Sequence, residues 1–451
     1  MRRRHVLLSL AVIFGVGVHT PVASTSNEGP ARVEIPPLTA TGEDVVVRSV
    51  RLAEIVVLAF ENNLDLALAA TATRRAAAVA REEEATLVPT LELGASYRTR
   101  DGRIQGSFGR LADGDFDTYQ GWIGLSYKVN IGAKIHDAIA ARSRGLQAVL
   151  SELDTEQRVI LQVAELFADL ELARTAVGVA TQLAAESDSF VRITAARERA
   201  GLGSGADTAR ARAKLAADRR EELDARQLWV EVSAGLATAL RLDPMILLEP
   251  AEGRILAWHL GPAPEAIERP DVESYRQAVD AAGHSRSAAR WNLFAPELIA
   301  GAARIELGEA AGELAPRTDY GAALRWQLSL NKIAAIHRHE ADAETAKLEL
   351  QRIEDRVARE TAVADRNVDL ARQRIPIAED GVTAAERNLR ISNARFTGGT
   401  AIALEVFDAQ NTLAHAWLNL AEAIVSSNLA QLRLLATTGH LGRENLPLPL
   451  R

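Results

Sequence analysis

The chain has no cysteine in its 451 residues. That excludes disulfides, a thiolate nucleophile, cysteine-held metals and a lipid attached through an N-terminal cysteine. Stability must come from packing and assembly instead. Aromatic residues are scarce, at 4%, while alanine and leucine abound, a bias that suits long helices. Beyond the N-terminal segment no stretch approaches about 18 uncharged apolar residues, so no transmembrane helix is expected in the mature chain and any membrane entry must be by strands. Basic charge is not in excess either: 52 Lys and Arg stand against 60 Asp and Glu, a formal net charge of −8. With no basic stripe interleaved with aromatics, a nucleic-acid partner is not expected. Catalytic signatures are missing too. The glycine run Gly201–Gly205 lacks the Lys-Ser/Thr of a phosphate-binding loop and the full dinucleotide fingerprint. His337 and His339 are two apart and cannot share a helix face, and no His-x-x-x-His pair occurs. No catalytic residue, cofactor or metal is assigned, and an enzyme is not expected.

What is present begins with an export signal over residues 1–24. Arg2, Arg3 and Arg4 form its positive end, Val6 to Val18 its apolar core, and small residues near Ala23 and Ser24 a cleavage site. A tail with Pro30, Pro36 and Pro37 runs to about residue 48. A helix follows from Leu52 to Leu87, ended by Val88-Pro89 because proline cannot continue the ladder. From Thr90 to Arg100, Leu91, Leu93, Ala95 and Tyr97 alternate with Glu92, Gly94, Ser96 and Arg98, a strand with one apolar face. Asp101 to Thr118, rich in Gly and Asp, reads as a surface loop carrying Phe108 and Phe116. A second strand spans Tyr119 to Ile131, with Ile123, Leu125, Tyr127, Val129 and Ile131 on one side. Trp122, Gly124, Ser126, Lys128 and Asn130 lie on the other.

Beyond Gly132 the period changes to about 3.5 and holds for some 60 residues through Leu146, Leu150, Leu153, Ile160, Val163, Phe167, Leu170 and Val177. That predicts a helix on the order of 90 Å long. It ends near Arg199 in a turn over about 200–206. Ser204 or Asp207 can cap a further helix to about Leu240. Residues 243–268 are proline-rich and break into short pieces.

The pattern then restarts at Arg269-Pro270-Asp271. A helix runs to about Trp291, and Pro296 opens a strand over about 297–307. A fourth strand follows over about 320–330. A second long helix carries Leu350, Ile353, Val357, Ala364, Val368, Ala371, Val382, Ala385 and Leu389. A second turn over about 397–401 leads to a helix from Ile402 to Ala436. Arg197–Leu215 lies over Arg395–Leu413 at an offset of 198 (395 − 197), and Leu125–Val129 over Leu324–Leu328 at 199 (324 − 125). The chain is therefore a tandem duplication of helix, strand, strand, long helix, turn and helix. Residues 25–242 form the first repeat and 269–440 the second, joined by 243–268 and followed by a tail over 441–451.

Strands of about 11 residues suit a tilted membrane crossing, yet four cannot close a barrel, whose smallest forms have about eight. An open edge has no hydrogen-bond partners in lipid. Chains should therefore pool strands, and three copies would give twelve in one ring. Helical seams of period 3.5 ask for the same assembly. The fold class expected is mainly α with a membrane β part: a trimeric α-helical barrel plus a shared 12-stranded barrel. Tyr97, Tyr119, Trp122, Tyr127, Tyr320 and Trp326 are placed as an aromatic girdle against outer membrane lipid. Asp207 and Glu405 occupy equivalent positions of the two repeats, with Asp408 one turn beyond. In a threefold ring these acids would form a narrow acidic entrance, a candidate gate, although acids in a helix's first turn also simply favour its dipole.

Together, the export signal, the proline-ended helix, the paired strands, the long helix with its glycine turn and the Arg-Pro-Asp restart resemble the TolC-like outer membrane efflux protein family. The resemblance covers about residues 50–440. It implies a homotrimeric exit duct in the Gram-negative outer membrane that extends into the periplasm and works with a periplasmic adaptor and an inner-membrane pump. Ala200-Gly201-Leu202-Gly203-Ser204 and Phe396-Thr397-Gly398-Gly399-Thr400 are similar to the helix-turn tips that such adaptors recognise. That implies adaptor contacts at Gly201, Leu202, Gly203, Ser204, Gly398, Gly399 and Thr400. The chain departs from many relatives in lacking their lipidated cysteine. The same scaffold serves the exit duct of one-step protein secretion, and a non-conducting coiled-coil stalk or adhesin is the alternative of another class.

Overall fold

A computed structural model describes residues 32–34, 46–105, 109, 111–258, 260 and 269–443. The export signal, most of the proline-containing tail, Phe108 and residues 444–451 lie outside the described residues.

Two short strands open the chain, β1 (Arg32–Glu34) and β2 (Val47–Val50), followed by helices α1 (Leu52–Asn62) and α2 (Leu64–Ala85). The single helix expected over 52–87 is thus two. Asn63 leaves helical geometry at ψ 130°, and its side chain accepts from the amides of Asp65 and Leu66, capping α2. Next come β3 (Thr90–Gln105), β4 (Leu111–Val129), the 69-residue α3 (Ile131–Arg199) and α4 (Gly205–Ala239). β5 (Leu247–Pro250) and β6 (Arg254–Leu256) lie in the proline-rich connection. The second half holds α5 (Pro270–Phe294), β7 (Glu297–Gly308), β8 (Ala315–Arg325), the 68-residue α6 (Leu330–Thr397) and α7 (Ala403–Thr438). No single described helix is long and apolar enough to cross a membrane.

The four long strands form one antiparallel sheet in the order β3-β4-β7-β8. Two differences from the alternating pattern have clear causes. The expected loop over 101–118 is instead a continuation of the hairpin, paired rung by rung out to Gln105 opposite Leu111. It lacks apolar alternation because neither face of a ribbon beyond the sheet is buried. The fourth strand, expected over 320–330, ends at Arg325 opposite Glu297. β7 begins just after Pro296, so residues beyond Arg325 find no partner strand, and Leu330 already starts α6.

Helices α3 and α6 run the whole length of the helical part. α2 and α5 flank them towards the sheet, while α4 and α7 flank them on the far side. Around the midpoint, β2 pairs in parallel with β5 and β1 antiparallel with β6. There the principal core gathers Ile55, Val56, Val163, Phe167, Leu170, Trp229, Leu236 and Leu248. Trp229 donates its indole N–H to the Leu248 carbonyl at 2.8 Å, tying α4 to β5. A second cluster near the far end joins all four lower helices through Phe190, Ala211, Leu389, Phe396, Val406 and Phe407.

Candidate functional site

Two regions carry the candidate residues, the sheet and the far ends of the helices. In the sheet, cross-strand register sorts side chains by face. Tyr97 faces Tyr119 with ring centroids 4.9 Å apart, and Leu93, Leu91, Ile123, Leu125 and Tyr127 continue that face. Leu298, Ala300 and Ala302 on β7 and Tyr320, Ala322 and Leu324 on β8 extend it. The opposite face carries Glu92, Ser96, Gln120, Ser126, Lys128, Glu297, Asp319 and Arg325. One side is thus apolar and the other polar, as a barrel with lipid outside and water inside requires.

Trp122 belongs to the polar side. It covers Gly94, where an added Cβ would sit 2.1 Å from the indole. Its place in the aromatic girdle is therefore corrected: in β4 its position differs in parity from Tyr119 and Tyr127, and its ring fills the space left by a glycine across the ladder. Tyr97, Tyr119, Tyr127 and Tyr320 share the apolar face. The Tyr127 hydroxyl donates to the Leu87 carbonyl at 3.1 Å. Trp326 lies just past β8, where its indole N–H donates to the Phe294 carbonyl at 3.3 Å, at the junction of sheet and helices.

At the far end the two turns are copies of one another. α3 ends with Gly201 at φ +69°, and α6 with Gly399 at φ +76°. Leu202 N–H donates to the Arg197 carbonyl and Gly201 N–H to that of Glu198; Thr400 and Gly399 do the same to Arg395 and Phe396. This paired bonding closes a helix only when the residue after its cap is left-handed, which is why glycine stands at Gly201 and Gly399. Ser204 caps α4 by accepting from Ala206 N–H, and Asp207 follows in the first turn. The turns end in apolar side chains open to solvent: Leu202 is 72% exposed and Leu404 62%.

The candidate gate acids are not equivalent in their partners. Glu405 accepts from Arg395 at 3.0 Å. Asp207 lies 3.7 Å from Arg210. Asp408 is exposed and has no ion pair among the described residues. Arg197, which sequence reasoning used only to align the repeats, bridges the two turns. Its guanidinium donates to the carbonyls of Phe396 and Thr397 at 3.0 Å each and to Leu202 at 3.3 Å, and it lies over the Phe396 ring. Its repeat equivalent Arg395 stays within its own turn, donating to Thr400 and Glu405. The repeat alignment marks both arginines, but only packing reveals which one crosses.

No group of three or more His, Asp or Glu side chains among the described residues is placed to hold a metal. The charged cluster at the midpoint is structural: Arg174 lies over the Trp229 ring and within 3.9 Å of Glu249.

Residues 55–240 match the family model of outer membrane efflux proteins. No curated protein matches the chain in sequence. Among solved structures it is similar to the outer membrane protein VceC of Vibrio cholerae, at 19% identity and a TM-score of 0.79 over 86% of this chain and 96% of that one. It is also similar to the CmeC outer membrane channel of Campylobacter jejuni, at 15% identity and a TM-score of 0.81 over 93% of this chain and 94% of the other. The open state of the MtrE outer membrane channel of Neisseria gonorrhoeae aligns at 17% identity and a TM-score of 0.76, covering 88% and 91%. By the family match across its first repeat, and by a fold shared with these channels along nearly its whole length, the chain belongs to the outer membrane efflux protein family.

Proposed function

We propose that this protein is the outer membrane exit duct of a tripartite efflux system, passively conducting solutes handed on by an inner-membrane pump through a periplasmic adaptor. The observation that carries this reading is the four-stranded sheet with one apolar face and two open edges, β3 and β8, fused to helices about 100 Å long. An open edge is untenable in lipid, so the edges must meet those of other copies. Three chains bring twelve strands and six helical hairpins. The helices ask for the same neighbours: α2 has no buried residue in the lone chain, and Leu64, Leu68, Ile135, Leu146 and Leu153 are exposed. Energy is supplied by the partners, and this chain supplies a hydrated path and an entrance. The exposed tip turns, Gly201 to Ser204 and Gly398 to Thr400, are the adaptor contacts in this reading, and Asp207, Glu405 and Asp408 the entrance.

The test is planar-bilayer conductance of the purified protein with its mass measured in the same sample. Discrete channels from a trimer are expected. Neutralising Asp207, Glu405 and Asp408 together is expected to raise conductance or shift ion selectivity, since each acid recurs three times around one pore. A water-soluble monomer that never enters bilayers would end this reading in favour of a stalk.

A further inference from the structure

The two repeats differ at the level where one set of flanking helices hands over to the other. In the first repeat α1 fills that place, packing Leu52, Ile55, Val56 and Ala59 against Trp229, Leu236 and Leu240. The second repeat has no such helix: α7 stops at Thr438, and α5 begins directly at Pro270. Between α3 and α6 this leaves a cavity of about 430 Å³, within the range of small-molecule sites, roughly 300–1,000 Å³.

Its floor is apolar, made by Leu161, Val363, Ala364, Ala430 and Ala436. Four guanidinium groups surround that floor. Three are already matched: Arg158 to Asp154 at 3.0 Å, Arg269 to Asp271 and Glu360 at 2.6 and 2.8 Å, and Arg433 to Glu165 at 2.6 Å. Arg359 has no ion pair among the described residues and is exposed.

The direction in which the cavity opens follows from α7. Asn428 and Gln431 are bonded to the backbone of Leu256, Trp258 and Leu260, so that side of the helix faces the short midpoint strands. Ala430, Arg433 and Thr437 lie roughly 140–200° around the helix from Asn428, at about 100° per residue. The cavity therefore opens away from the midpoint strands. In the duct those strands must lie outside, since three sets of them within the bore would block it, and the cavity then faces the bore.

We propose that this cavity is a binding site on the inner wall of the duct for amphipathic organic anions, with an apolar ring or chain on the alanine-rich floor and the anionic group on Arg359. The inward orientation rests on the exit-duct reading; the binding itself does not. The probe is 1-anilinonaphthalene-8-sulfonate, compared with N-phenyl-1-naphthylamine, which has the same rings without the sulfonate. Both are titrated by fluorescence into the full-length trimer in lipid nanodiscs. Lipid partitioning is common to every variant, so the site is read from substitution-sensitive binding. Arg359→Gln is expected to weaken the sulfonate roughly fivefold, the size of one partly exposed ion pair, and to leave the neutral probe unchanged. Val363→Trp, which fills the cavity, is expected to remove both. The inference is overturned if neither substitution alters binding, or if Arg359→Gln weakens both probes equally. Conductance of the same samples separates the two readings. Open channels without substitution-sensitive binding sink the site alone, and a non-conducting preparation counts against the duct while the titration still decides the site.

Discussion

Burial inside α3 holds the Glu171 carboxyl in its protonated form. The residue is 9% exposed, and desolvation, reinforced by the Glu252 charge, raises its pKa from 4.5 to about 8. An acid with a raised native pKa binds more protons folded than unfolded, so its contribution to stability falls as pH climbs from its unfolded value towards its folded one. At about 1.4 kcal/mol for each tenfold change in proton affinity, that loss is on the order of 4 kcal/mol. Glu171→Gln should therefore melt like the parent near pH 4.5 and at progressively higher temperature than the parent up to pH 8. Thermal unfolding across that range decides it: parallel curves would show that Glu171 carries no such burden. Nothing in the sequence singled out Glu171, because an acid every few residues is ordinary on a solvated helix. Trp122 was legible by contrast. Its place among the polar members of β4 put it on the opposite face from Tyr119 and Tyr127, and grouping it with them by residue type overrode that parity.

Each long helix carries its weakest helix former at one shared position. Gly178 in α3 and Pro376 in α6 are 198 apart (376 − 178), the offset of the two tips. Pro376 is exposed and lies inside α6, and it has no N–H for the ladder. Relative to alanine, glycine costs about 1 kcal/mol and proline about 3 within a helix. The last 30 Å or so of each hairpin, some 20 residues at 1.5 Å each, is thus joined to the midpoint through a weakened turn. Pro376→Ala should raise the thermal midpoint while lowering the fraction of time the channel spends open. A stabilised variant with unchanged single-channel behaviour would rule out a hinge at Pro376. Elements of this kind were readable in proportion to how one-sided their burial is. The seams of α3 and α6, half buried along their length, showed their period plainly. The break at Asn63 did not, since it is made by one side chain capping two amides. The outer half of the β3–β4 hairpin is wet on both faces and carries no pattern beyond its Gly and Asp content.

At the scale of the whole molecule, the lone chain is an incomplete object: a sheet with two open edges, a helix, α2, with no buried residue, and apolar seams on α3 without neighbours. Assembly is what the fold leaves unsatisfied, and the duplication supplies it with two near-identical tips per chain. One consequence concerns how the molecule can be oriented in a living cell. β7 stops at Gly308 opposite Tyr119, whereas β3 and β4 stay paired from Arg98 opposite Thr118 out to Gln105 opposite Leu111. That overhang reaches about 26 Å beyond its neighbours, at 3.3 Å per residue. Three such ribbons would stand as posts above the rim, and the chain has no native thiol. Asp115→Cys therefore places a single reactive handle on each post, and Ser204→Cys one at the opposite pole. A bulky maleimide too large to enter the periplasm should modify the first in intact cells and the second only after the outer membrane is breached. The reverse order would turn the molecule upside down.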